Sequence, residues 1–298
     1  DTYSNVFIET PITSDAAAVV ASGATTANIQ ATAPGTSYVL KKDGSLWAAG
    51  NNESGQLGTG STSQAVYPFV QVIDSGVTAI AAGKDYALAI KNGKVFGAGK
   101  TDAMGLGTFY ISWTAAFPPR TSWTDTGFGS EDTLTSGAIP TKIAASQNFC
   151  SYVIASDACL YGAGLNANKE LGLQGIYLSQ LDGGKWANIL NAATYIGAGE
   201  GHAFIVHSGG GLYMAGKNNK GQLGREHNTT PGDTFESVTD FSSGASGFAA
   251  AAAGKEHSLA LKDDGKVYAV GSNSAGQLGR NDNQTEWDSG WAEVQYAE

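Results

Sequence analysis

Ala253-Gly-Lys-Glu-His257-Ser-Leu-Ala-Leu261-Lys-Asp-Asp264-Gly265-Lys-Val-Tyr268-Ala-Val-Gly271-Ser-Asn-Ser-Ala-Gly276-Gln-Leu-Gly279 is the stretch whose reading decides the fold. Leu259-Ala-Leu261 and Val267-Tyr-Ala-Val270 are short apolar runs with small and β-branched members. Asp264-Gly265 lies between them. Asp-Gly flanked by such runs predicts a two-residue β-hairpin turn, because both central residues of a type I′ turn need positive φ. The same frame recurs at Gly199–Gly224, Gly83–Gly107, Ser146–Gly172 and Ala33–Gly58. In every copy the glycine closing the second strand lies eight residues before the glycine closing the loop: Gly50/Gly58, Gly99/Gly107, Gly164/Gly172, Gly216/Gly224 and Gly271/Gly279. Leu57, Leu106, Leu171, Leu223 and Leu278 precede the second glycine. Five matches at one spacing mark an internal repeat.

Asp43-Gly44, Asn92-Gly93 and Gly209-Gly210 occupy the turn of the other copies, and Asp157-Ala158 is the weak one, since a left-handed φ is costly for alanine. The segment before each hairpin is small: Ile80-Ala-Ala-Gly83, Ile143-Ala-Ala-Ser146, Ile196-Gly-Ala-Gly199 and Ala251-Ala-Ala-Gly254. Small residues suit the place where neighbouring sheets converge on an axis. Further strands lie between repeats, at Tyr67–Val72, Trp186–Ile189 and Trp291–Val294. Each repeat thus supplies about four strands. One such sheet cannot cover both its faces, and radial repetition solves that in β-propellers. A linear stack is the alternative.

The pattern Gly-x-x-His-Ser-Leu-Ala-Leu-x-x-Asp-Gly-x-Val-Tyr-x-x-Gly-x-Asn-x-x-Gly-Gln-Leu-Gly at 254–279 resembles the regulator of chromosome condensation repeat. The resemblance runs over about residues 33–298 and implies an all-β propeller of four-stranded blades. That family typically has seven blades. This chain shows five copies, so five blades are expected, or six if the N-terminal segment adds a sheet. Residues 1–25 read as an N-terminal arm or tether and 26–298 as the propeller. The arm carries Val6-Phe7-Ile8 as candidate assembly residues. Val20-Ala-Ser-Gly23 looks like Val72-Ile-Asp-Ser-Gly76, which predicts that the N-terminal region supplies an outer strand of the first blade. Trp291–Tyr296 is then left over at the C-terminus, an edge able to pair with another molecule.

The formal net charge is −10, with charged residues only 15% of 298. No basic stripe of the kind nucleic-acid binders carry is visible, and no apolar run approaches the length that crosses a bilayer. Nucleic acid and membrane insertion are not expected as partners. Cys150 and Cys159 flank one predicted hairpin with Cys150 about six residues from the turn, roughly 20 Å along the strand, so two free thiols are expected rather than a disulfide. His202 and His257 fall at one repeat position, where the other copies place Thr36, Tyr86 and approximately Phe149. A catalytic role would not rotate among such chemistries, so these histidines read as structural. Gly209-Gly-Gly211 is followed by no helix and is not a phosphate loop. The oxygen-rich loop holding Asp282, Asn283, Glu286 and Asp288 breaks the known calcium spacing. No metal or cofactor is expected. The sequons at Asn52, Asn228 and Asn283 carry little weight.

Trp186 and Trp291 share a repeat frame and read as packed. Trp113 and Trp123 read as lying outside it, in a stretch with Phe109, Tyr110, Phe117, Arg120 and Phe128. Aromatics and Arg are enriched at interface hot spots, and these seven residues are the candidate partner-binding set, a loop folding back on its own aromatics being the alternative. The expected function is a non-catalytic interaction module binding a protein or glycan on an extracellular or virus-particle surface. The alternatives are a homo-oligomer whose blades are closed by a neighbour's strand, an exchange factor for a small GTPase as the resemblance suggests, and an enzyme with a site at the channel mouth.

Overall fold

A computed structural model describes residues 15–22, 35–101, 106, 118–129, 137–173, 186–225, 231–239, 246–280 and 287–295. Among them, twenty strands form five four-stranded antiparallel sheets, each built from consecutive strands. The first holds β1 (Ala16–Ser22), β2 (Thr36–Lys41), β3 (Leu46–Asn52) and β4 (Ser63–Ile73). The second holds β5 (Val77–Ala82), β6 (Tyr86–Lys91), β7 (Lys94–Gly99) and β8 (Arg120–Asp125). The third holds β9 (Pro140–Ala145), β10 (Cys150–Ala155), β11 (Leu160–Gly164) and β12 (Ala187–Leu190). The fourth holds β13 (Ala193–Ala198), β14 (His202–His207), β15 (Leu212–Gly216) and β16 (Gly232–Ser237). The fifth holds β17 (Phe248–Ala253), β18 (His257–Lys262), β19 (Val267–Ser272) and β20 (Trp287–Glu293). This is the expected all-β propeller architecture with five blades.

The first strands of successive sheets touch one another, β1 on β5, β5 on β9, β9 on β13 and β13 on β17, so the small-residue strands line the inner side. This corrects the placement of the N-terminal segment. Ala16–Ser22 pairs with β2 as the innermost strand of the first blade, not as an outer strand, and the propeller therefore reaches back into residues 1–25. Ala17, Ala18 and Ala21 suit that inner slot for the same reason as Ala79 and Ala81. β20 is likewise the regular outer strand of the fifth blade, contrary to the expectation that Trp291 starts a strand left over from it. The arm residues Val6, Phe7 and Ile8 lie outside the described residues.

The hairpin turns are also more varied than expected. Only Asn92-Gly93 has both φ values positive, at 50° and 74°, and closes a two-residue turn with Lys91 opposite Lys94. In the other four, only the second residue is left-handed: Gly44, Ala158, Gly210 and Gly265. In three of these the aspartate before it folds its side chain over a nearby amide, as Asp43 does to Ser45 N, Asp157 to Cys159 N and Asp264 to Lys266 N. A carboxylate that captures a local donor stabilises the longer turn.

The loop after each third strand follows one design. An asparagine side-chain oxygen accepts the amide of the loop leucine in four blades: Asn52 from Leu57, Asn166 from Leu171, Asn218 from Leu223 and Asn273 from Leu278. That bond turns the leucine inward, and all five loop leucines are buried, Leu106 among them. The glycine at or near the end of each third strand takes φ between 105° and 132°. A Cβ there would meet the backbone that starts the second strand, 2.5 Å from Gly201 O in the case of Gly216.

Two glycine substitutions separate conformational cost from steric cost. Gly265→Ala meets nothing within 4 Å, so only its left-handed φ counts, at about 1–2 kcal/mol. Gly216→Ala adds a backbone clash and is expected to destabilise by more than about 3 kcal/mol. Urea unfolding of both variants measures the difference.

Candidate functional site

Three of the seven candidate binding residues lie among the described residues. Phe109, Tyr110, Trp113 and Phe117 lie outside them. Phe128 is buried, edge-on to Tyr161 at 5.4 Å and to Trp186 at 5.3 Å, and wedges the second blade onto the third. Trp123 sits on β8, donates Nε1 to Leu57 O at 3.2 Å and stands edge-on to Tyr38 at 6.4 Å. A Cβ on Gly58 would fall 2.4 Å from its ring. Trp123 therefore belongs to the repeat, contrary to its reading as an extra residue. It covers Gly58 of the preceding blade as Phe235 covers Gly172 and Trp291 covers Gly224. Trp186 and Trp291 are buried in the blade junctions, as their shared frame predicts. Arg120 starts β8 half-buried and donates Nη1 to Asp125 O at 3.4 Å, with burial pulling its pKa down. Phe128 is thus committed to packing, while half-buried Trp123 packs on the preceding blade and keeps part of its ring open.

What Trp123 leaves open is a groove of about 510 Å³ between the first and second blades. Phe96, Trp123, Val72 and Ile73 give it apolar walls, and Gln71, Ser122, Lys91 and Asp74 a polar margin. Lys91 and Asp74 face each other at 3.6 Å. Tyr67, on β4, the strand that supplies Val72 and Ile73, is 85% exposed. Sequence reading missed this groove because its two halves come from different repeats. Its one local signal is the run of apolar residues on the last strand of the first copy.

The histidine position is structural at the fourth-to-fifth junction. His202 Nε2 lies 2.9 Å from Ser258 Oγ, which in turn donates to Gln222 O at 2.9 Å. The serine proton is spent on the carbonyl, so the imidazole donates. Tyr86 has the same role between the second and third blades, donating to Cys150 O at 2.8 Å while Ser151 Oγ lies 3.1 Å away. The register places Cys150, not Phe149, at this position of the third blade, opposite Gly164. Phe149 is displaced into the preceding turn with φ 60°, so the strand begins one residue later than expected. Cys150 and Cys159 are free thiols, as expected.

One buried acid departs from the repeat. Where three other loops use Gln56, Gln222 and Gln277 to accept a loop amide, the third blade uses Glu170. Its carboxylate accepts from Asn168 N at 2.7 Å and Asn148 Nδ2 at 2.8 Å. Burial raises its pKa, as it raises that of neighbouring Cys150. Among the described residues no group of three His, Cys, Asp or Glu is placed to hold a metal ion.

Models of the regulator of chromosome condensation (RCC1) repeat match residues 43–90 and 248–277. The matched stretches lie in the first, second and fifth blades. The probable E3 ubiquitin-protein ligase HERC6 of Homo sapiens is 24% identical over 82% of this chain, which spans 23% of that protein. The X-linked retinitis pigmentosa GTPase regulator of Mus musculus is 40% identical over 28% of the chain and 8% of its own length. The Danio rerio RCC2 homolog is 39% identical over 32% of the chain and 18% of its own length. Among solved structures, yeast RCC1 (Prp20) bound to Kap60 aligns over 88% of this chain and 59% of its own, with a TM-score of 0.71 and 19% identity. Saccharomyces cerevisiae Prp20p, whose structure was described with its binding to Gsp1p and histones, gives 0.70 at 20% identity, over 88% of this chain and 61% of its own. At such identities the likeness shows the RCC1-repeat propeller fold.

Two of the buried ionisable groups pull stability in opposite directions with pH. Burial, with His257 nearby, pushes the His202 pKa down to about 4. The unfolded chain then binds a proton between about pH 6.5 and 4 that the folded chain refuses, so stability falls as pH falls through that window, by about 3 kcal/mol. His202→Gln is expected to flatten this decline in urea titrations. Glu170 has the opposite sign: its raised pKa means stability is lost as pH rises. Glu170→Gln is expected to melt above the wild type at pH 8, with the gap closing toward pH 4, as read by thermal denaturation.

Proposed function

We propose that the chain is a non-catalytic RCC1-like binding module that presents the groove between its first two blades to a protein partner. The observation that carries this reading is the groove itself. Two aromatic walls, Phe96 and Trp123, stand within a polar margin with one charge of each sign. Aromatic anchors inside a polar rim are what protein interfaces use, and a volume of about 510 Å³ has room for a few side chains. A partner on an extracellular or virus-particle surface belongs to the same proposal, supported by the acidic, sparsely charged composition. A small GTPase is the second reading. It is favoured by the GTPase regulator among the relatives and by the Gsp1p binding described for Prp20p.

A photo-crosslinking residue at Gln71, in the groove, and another at exposed Asp264, at the hairpin tip of the fifth blade, distinguish a used surface from a bare one. A discrete adduct with one protein from Gln71 alone is expected. The same products from both positions would sink the proposal. A nucleotide-release assay with small GTPases decides the second reading, which fails if release is not accelerated.

A further inference from the structure

The junctions between successive blades share one pair of ring positions. The third strand of the following blade supplies Phe96, Tyr161, Tyr213 or Tyr268. Its outer strand supplies Trp123, Trp186, Phe235 or Trp291, each one residue before the partner of Gly97, Gly162, Met214 or Ala269. In three junctions a further group lies on the third-strand ring. Between the second and third blades it is Phe128, edge-on to Tyr161 at 5.4 Å and to Trp186 at 5.3 Å. Between the third and fourth it is His207, 5.7 Å from the ring centre of Tyr213. Between the fourth and fifth it is Lys262, with its Nζ 5.9 Å from the ring centre of Tyr268.

The junction between the first and second blades departs from this. Lys91 holds the position of His207 and Lys262, since the three pair with the first residues of their inner strands, Val77, Ala193 and Phe248. It reaches back to Asp74 of the first blade, 3.6 Å away, rather than over Phe96. Ile73 and Thr126 hold one position, opposite Leu46 and Val95. Two residues further on, the second blade has Phe128 and the first has exposed Ser75. The exposure of the walls records the difference. Tyr161 and Trp186, packed against Phe128, are 1% and 4% exposed. Phe96 and Trp123 are half-buried and line the 510 Å³ groove. The groove is the place of an aromatic side chain that the described residues supply at the next junction and not at this one. At its mouth the side chain of Asp74 is 86% exposed and that of Lys91 only 28%. An arriving chain meets the carboxylate first, on a protein of net charge −10. A cation beside the arriving ring complements that margin.

We propose that the groove takes one aromatic side chain of a protein partner, set against Phe96 and Trp123 as Phe128 is against Tyr161 and Trp186, with a basic neighbour of that residue meeting Asp74. This deepens the reading of the groove as the partner-binding surface and rests on it. Edge-on rings gain beyond the area they bury, because the positive rim of one meets the negative face of the other. The site therefore selects phenylalanine over leucine, which hydrophobic burial alone does not.

Methyl NMR spectra of the whole chain read binding at Val72 and Ile73. The probes are N-acetyl-phenylalanyl-arginine amide and its leucyl-arginine and phenylalanyl-glutamate counterparts. The first is expected to shift these methyls with a millimolar Kd, about fivefold tighter than the leucyl probe. The glutamate probe is expected to bind more weakly, with the gap lost in Asp74→Asn. Phe96→Leu is expected to abolish the preference for the aromatic probe. If that variant unfolds, the contrast between probes on the wild type decides alone. Equal binding of the phenylalanyl and leucyl probes, or of the arginine and glutamate probes, overturns the proposal. So does the absence of any shift up to about 20 mM. A nuclear Overhauser contact in the free protein between Trp123 and Phe109, Tyr110, Trp113 or Phe117 also overturns it, since the chain then fills its own groove. A single protein adduct from Gln71 without aromatic preference removes this proposal and keeps the groove as partner surface, whereas no adduct from Gln71 removes both.

Discussion

A sheet that is apolar on both faces cannot stand alone in water, and the whole molecule follows from that constraint. Each blade turns one face to the blade before it and one to the blade after it. The cores lie between sheets, not within them: one cluster joins the first and second, one the second and third, one the third and fourth, and one the fourth and fifth. Burying a large apolar side chain is worth about 1.5–3 kcal/mol. A blade with only one neighbour therefore forgoes several such contributions. The stability of a row of this kind is close to a sum of neighbour terms, and its ends are where the sum is incomplete.

The junctions use different chemistry to meet the same geometric demand. The loop carbonyl that follows the third strand is satisfied by Tyr38 OH at Gln56, by Tyr152 OH at Glu170 and by Ser258 Oγ at Gln222. The donor comes from the same blade in the first two cases and from the next blade in the third. What is held constant is that a buried acceptor finds a hydroxyl, since an unsatisfied one costs more than any single bond returns. This explains why residue identities drift at positions whose burial does not.

How much of this is readable without coordinates depends on whether the cause is local. The eight-residue glycine spacing is legible because a φ near +105° with no room for a Cβ admits only glycine, in every copy. The hairpins are legible for a related reason, though the turn type is not, because it depends on whether aspartate folds onto a nearby amide. Trp123 is misread because its partner, Leu57, is 66 residues away in the preceding blade. Phe149 is misread by one residue because nothing about phenylalanine announces a left-handed φ. The groove is invisible for the same reason: it depends on how two sheets sit beside each other.

The His202–Ser258 pair shows why geometry alone does not make a site. An imidazole nitrogen 2.9 Å from a serine hydroxyl is the spacing of a base and a nucleophile. Here the serine hydrogen is already given to Gln222 O, so the histidine is the donor and cannot accept that proton. Its pKa, about 4, keeps it neutral at pH 7, but neutrality is of no use to a base whose donating nitrogen faces the nucleophile. Both residues are fully buried, so no substrate reaches the oxygen. The pair is a polar rivet between two sheets. Tyr86 and Ser151 form a rivet of the same kind between the second and third blades.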